Sequence, residues 1–62
     1  MMKFRLTYNG LAGFDYTGFD SHDELVAWAI HQAEMGLIVP LEMMVYDSKK
    51  DVYKVYGNFL KA

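Results

Sequence analysis

Leu41-Glu42-Met43-Met44-Val45-Tyr46, followed after a charged turn by Val52-Tyr53-Lys54-Val55-Tyr56-Gly57, is the stretch that decides the fold. Its odd positions carry Leu41, Met43, Val45, Tyr53 and Val55. Its even positions carry Met44, Tyr46, Val52 and Tyr56, broken only by Glu42 and Lys54. An antiparallel hairpin with one solvated face should alternate apolar and polar residues. Here both sets are apolar, and a single short helix covers only one of them. The expectation is a sheet with one surplus apolar face, formed by Met44, Tyr46, Val52 and Tyr56 and turned toward a partner. Met43 and Met44, as strand neighbours, must point to opposite faces; one fills the core and the other joins the contact set.

Between the two halves of this stretch, Asp47-Ser48-Lys49-Lys50-Asp51 reads as a solvated turn. Pro40 places the start of the third strand at Leu41. Upstream, Ser21-His22-Asp23-Glu24 has the capping-box spacing, with Ser21 accepting from the Glu24 amide and Glu24 reaching back to the Ser21 amide. Asp20 and Asp23 add negative charge at the positive end of the helix dipole. The helix is expected over residues 22–35 and ends at Gly36, a residue suited to the left-handed position after a C-cap. Leu25, Ala29 and Ala33 form its central apolar stripe, with Val26 and Ile30 on one flank and Trp28 and Met35 on the other. Trp28 is expected to reach over a sheet edge.

At the start of the chain, Met2, Phe4, Leu6 and Tyr8 alternate with Lys3, Arg5 and Thr7. A loop through Asn9-Gly10-Leu11 pairs Phe4 with Tyr16, Leu6 with Phe14 and Arg5 with Asp15. That register sets aromatics together inside and opposite charges together outside. Gly13 and Gly18 mark candidate bulges. The expected fold is therefore α+β, ββαββ: strands near residues 2–8, 13–19, 41–47 and 52–57 in a four-stranded antiparallel sheet, with one helix on one face. Phe59 and Leu60 either fold back onto the core or extend the patch.

Composition bounds the function. The 62 residues suit one domain, and a chain of this size buries only about 60% of its unfolded surface. There is no Cys for a disulfide or thiolate metal site, which fits a reducing, cytoplasmic setting. A hydrophobic share of 53%, with 16% aromatic, argues against disorder and for self-association or a partner. No apolar run, residues 37–41 included, comes near the ~20 needed to span a bilayer. The first residues alternate like a strand and lack the apolar segment of a signal peptide.

The sequence offers no catalytic constellation. His22 and His31 are nine apart and lie on different helix faces, so they make no two-histidine metal face, and both are expected to be solvated. Asp15, Asp20, Asp23 and Glu24 serve capping and solubility. No glycine-rich phosphate motif exists. No enzyme activity, metal or cofactor is expected. Net charge is −2, without the concentrated basic footprint of a nucleic-acid binder. Single-stranded nucleic acid stacking on Tyr46, Tyr53 or Tyr56, with Lys49, Lys50 and Lys54 on phosphates, is the less favoured reading. A homodimer that pairs the same sheet face is another alternative.

The size, the hairpin–helix–hairpin layout and the helix start Phe19-Asp20-Ser21-x-x-Glu24-Leu25 together resemble small phage-encoded host-takeover proteins, among them anti-CRISPR inhibitors. The resemblance implies a compact, non-enzymatic protein that blocks a host protein or complex by occupying a surface. It carries no family residue across to this chain.

Overall fold

The computed structural model describes residues 2–59. The elements run β1 (Phe4–Gly10), β2 (Gly13–Phe19), α1 (His22–Glu34), β3 (Ile38–Asp47) and β4 (Val52–Asn58). They form one antiparallel sheet in the order β2-β1-β3-β4, so the fold is the α+β arrangement expected from the sequence. The strand order follows from the crossover. The chain leaves edge strand β2, passes over the sheet as α1 and returns on the far side of β1, where β3 pairs antiparallel with it.

The helix starts as its sequence dictates. The Ser21 hydroxyl accepts from the Glu24 amide at 3.1 Å. The expected reach of Glu24 back to the Ser21 amide is replaced by a side-chain bond, in which the same hydroxyl donates to Glu24 Oε1 at 3.2 Å. At the other end Gly36 takes φ +74°, with Leu37 N–H donating to Gln32 O and Gly36 N–H to Ala33 O. That is the Schellman pattern, which satisfies carbonyls the helix would otherwise leave unpaired.

Leu25 and Ala29 are buried against Leu6 and Tyr8, and Phe4, Phe19, Val26, Trp28, Ile38, Met43 and Phe59 close around them. The Trp28 ring packs on Tyr8 of β1 and Phe19 of edge strand β2, with centroids 5.4 and 5.5 Å away. Ile30 and Met35 are exposed, because α1 rests on Leu25 and Ala29 and turns those flanks outward. Phe59 folds back, its N–H donating to Leu41 O at 2.9 Å. Leu60 lies outside the described residues.

Three local expectations are corrected. The β1–β2 register is Phe4 opposite Phe19, Arg5 opposite Gly18, Leu6 opposite Thr17 and Thr7 opposite Tyr16. The turn is Leu11-Ala12, flanked by the Gly10–Gly13 pair, because Gly13 supplies the positive φ (+114°) that a tight connection needs. This shift brings Phe19 inside beside Trp28 and sends Phe14 and Tyr16 to the opposite face. Asp15 falls opposite Tyr8 and away from Arg5.

Next, β3 begins at Ile38, with Pro40 inside it opposite Tyr8. Among the described residues the pairing of β4 with β3 runs to Glu42, with one further bond from Phe59 to Leu41, so Pro40 has one side outside the ladder, where a missing N–H is tolerated. Finally, the bulges lie elsewhere than at Gly13 and Gly18. One extra residue of β3 lies between the Leu6–Met43 and Tyr8–Pro40 pairs, and Tyr56 is the extra residue of β4 between the Met44–Val55 and Met43–Gly57 pairs. At the first, the Thr7 hydroxyl accepts from Glu42 N–H at 3.1 Å and sits 3.4 Å from Glu42 O, standing in for the interrupted ladder.

Candidate functional site: the open face of the sheet

The helix covers the face that carries Leu6, Tyr8 and Met43, and it packs chiefly on β3, β1 and β2. The register places Phe14 and Tyr16 of β2, Arg5 of β1, Val39, Met44 and Tyr46 of β3, and Tyr53 and Val55 of β4 on the other face. Phe14, Tyr16, Val39 and Val55 are exposed there.

The centre of this face is a cation between two rings. The Arg5 guanidinium carbon lies 4.2 Å from the Tyr16 ring centroid and 3.8 Å from that of Tyr53. Tyr53 in turn meets Tyr46 at 5.5 Å with the rings tilted by 58°, and its hydroxyl donates to Met2 O at 2.5 Å. Cation–π contact contributes about 0.5–2 kcal/mol per pair, more as the cation is desolvated. Arg5 is half-buried, its Nε has no acceptor, and among the described residues no carboxylate pairs with it.

The four residues expected to share one surface divide between two. Met44 and Tyr46 lie on the open face. Val52 pairs with Asp47 and so faces the helix side, beyond the helix's own footprint. Tyr56, displaced by the bulge, also turns to the helix side. It packs edge-on to Phe4 at 6.0 Å and its hydroxyl shares a 2.6 Å hydrogen bond with His22 Nδ1. His22 is thus exposed but engaged, where a purely solvated side chain was expected. The alternation expected from the sequence assumed an unbroken strand across the turn. With four residues in the loop, Tyr46 pairs with odd-numbered Tyr53, so the open-face set changes parity between β3 and β4.

The loop after Tyr46 is fixed by polar contacts. Asp51 takes a left-handed φ of +54°, which Asp tolerates better than most residues, and its carboxylate accepts from the Tyr46 hydroxyl. Burial raises the pKa of Asp47, but the bond from Lys54 Nζ at 3.3 Å and the Lys49 and Lys50 amides outweigh it and hold the carboxyl below its ordinary value.

The Asp51 hydrogen bond holds the Tyr46 phenol above its ordinary value, while burial does the same for Tyr56. Folding favours the neutral phenol of Tyr46. Its contribution to stability is therefore present below the unfolded pKa of about 10 and is lost as pH rises through the higher folded value. An ultraviolet titration is expected to show tyrosines ionising late, with Asp51→Asn returning one of them toward the ordinary range. No change in the curve on Asp51→Asn would contradict the assignment.

The described residues contain no group of three or more His, Asp or Glu placed to hold a metal ion, and no helix among them is long and apolar enough to cross a membrane. A shallow cleft of about 430 Å³ lies between the β1–β2 turn and α1, lined by Tyr8, Leu11, Asp15, Trp28 and Gln32 among others. Its carboxylate, Asp15, is already engaged with the Tyr16 amide at 2.7 Å. The arrangement that stands out chemically is the open face, an aromatic surface around a cation and suited to contact. No protein-family model matches the chain, and comparison with curated proteins and with solved structures finds no significant relative.

Proposed function

We propose that this chain is a small non-enzymatic protein-binding module that works through the open face of its sheet, in the manner of phage-encoded inhibitors that block a host protein by occupying its surface. The observation that carries this reading is the run of Tyr16, Tyr53, Tyr46, Met44 and Val55 on the face the helix leaves bare. Aromatic residues and Met are enriched in interface cores, and rigid rings around an Arg are typical binding anchors.

Two residues of one strand make a matched test. Val55 is 49% exposed on the open face and Val52 is 45% exposed on the helix side. Val55→Asp is expected to weaken capture of a partner from bacterial extract about tenfold or more, since it places a charge in the contact. Val52→Asp is expected to leave capture intact. Equal capture by both variants would remove the open face as the docking surface. Loss of self-association in sedimentation with Val55→Asp alone would instead identify the partner as a second copy.

A further inference from the structure

We propose that Arg5, clamped between Tyr16 and Tyr53, is the specificity element of the open face, and that it receives a single Asp or Glu carboxylate presented among apolar side chains of a partner protein. This rests on the protein-binding reading above. Three observations lead to it. Arg5 sits on β1, one of the two central strands, with rings at 4.2 and 3.8 Å on its guanidinium. Its charge is not neutralised within the described residues, and because its Nε is sealed from solvent a partner carboxylate meets the terminal Nη groups. The carboxylate that sequence pairing would have set beside it, Asp15, lies on the other face opposite Tyr8.

An arginine held against two rings is preorganised, so a planar carboxylate loses little in meeting its terminal donors. Charge complementarity therefore selects an acid, and the surrounding Tyr46, Met44 and Val55 select apolar neighbours for it.

Two other occupants fit less well. Bases of single-stranded nucleic acid need free ring faces, yet the Arg5 guanidinium lies over the rings of both Tyr16 and Tyr53. The chain's net charge of −2 also opposes a polyanion. Two copies paired face to face about a two-fold axis bring central residues near their own counterparts, and Arg5 would meet like charge.

A random peptide display library selected on the intact protein, with synthetic versions of the recovered peptides, tests this. Recovered binders should carry a recurrent Asp or Glu flanked by apolar residues. Changing that acid to its amide should weaken binding about tenfold or more, as expected for loss of a charge-assisted pair. Arg5→Lys keeps a cation over the rings but loses the planar fork, and it should weaken binding similarly while amide NMR shifts confirm the fold. The acid-to-amide peptide comparison needs no change in the protein, so it decides the matter even if Arg5→Lys fails to fold.

Binders abolished by Val55→Asp but indifferent to the amide change would overturn the role of Arg5 and leave the docking face standing. Absence of any binder sensitive to Val55→Asp would overturn both. A labelled single-stranded oligonucleotide that binds at about 50 mM salt and is released near 200 mM would assign Arg5 to phosphate and overturn the carboxylate. Concentration-dependent dimerisation lost with Val55→Asp would assign the face to a second copy, with the same consequence.

Discussion

Leu25→Ala is expected to remove most of the folding stability of this chain. Among the described residues Leu25 and Leu6 are the large side chains that are fully buried, one from the helix and one from central strand β1, and they meet in the same cluster. Truncating a buried Leu to Ala costs about 2.7–5 kcal/mol, the larger values arising where neighbours cannot collapse into the cavity. A 62-residue domain has roughly 3–9 kcal/mol to lose, at about 0.05–0.15 kcal/mol per residue. Thermal unfolding followed by circular dichroism should show a midpoint at least 10 °C lower, since about 1 kcal/mol shifts a domain of this size by roughly 4–8 °C. Ile30→Ala on the same helix is the control. Ile30 is 49% exposed, so its truncation should cost under about 1 kcal/mol. Similar losses for both variants would mean that the helix does not seat on Leu25 and Ala29.

The sequence made the elements legible because each carries a local physical signal. Ser21 and Glu24 announce the helix start, Gly36 its end, and alternation of large apolar residues the strands. What it hid depends on long-range register. The Asn9-Gly10 pair is a strong turn signal, but Gly13 took the positive φ and the turn moved to Leu11-Ala12. A three-residue change in the sum of paired positions exchanged the faces of Phe14 and Tyr16, so two aromatics assigned to the core became part of the open face. The same change separated Arg5 from Asp15 and left the arginine to the rings. Half of the expected contact set, Met44 and Tyr46, lies on the open face. Val52 and Tyr56 do not, because the parity of β4 is set by the four-residue loop and by its bulge at Tyr56. Tyr53 was legible as an aromatic on a strand, but its reach across β3 to Arg5 could come only from the folded chain.

Thr7→Val is expected to be the most costly change of a polar residue that preserves shape. Thr7 is 6% exposed, and its hydroxyl serves both the N–H and the C=O of Glu42 where β3 carries its extra residue. Valine has nearly the same shape and a comparable strand preference, so loss of the hydrogen bonds dominates the change. The Glu42 amide then lacks its acceptor in a partly buried site, at a cost of about 1–3 kcal/mol. Thr7→Ser, which keeps the hydroxyl but loses a methyl group, should cost less. The distinguishing readout is amide hydrogen exchange. Exchange at Glu42 should accelerate in Thr7→Val beyond what the fall in global stability explains, while in Thr7→Ser it should follow global stability. Because this bulge lies between Val39 and the Met44–Tyr46 stretch of β3, loosening it should also weaken partner binding without altering any contact residue. If Thr7→Val melts with the native protein and Glu42 exchange is unchanged, the bulge is held by the sheet itself, and the threonine is a passenger.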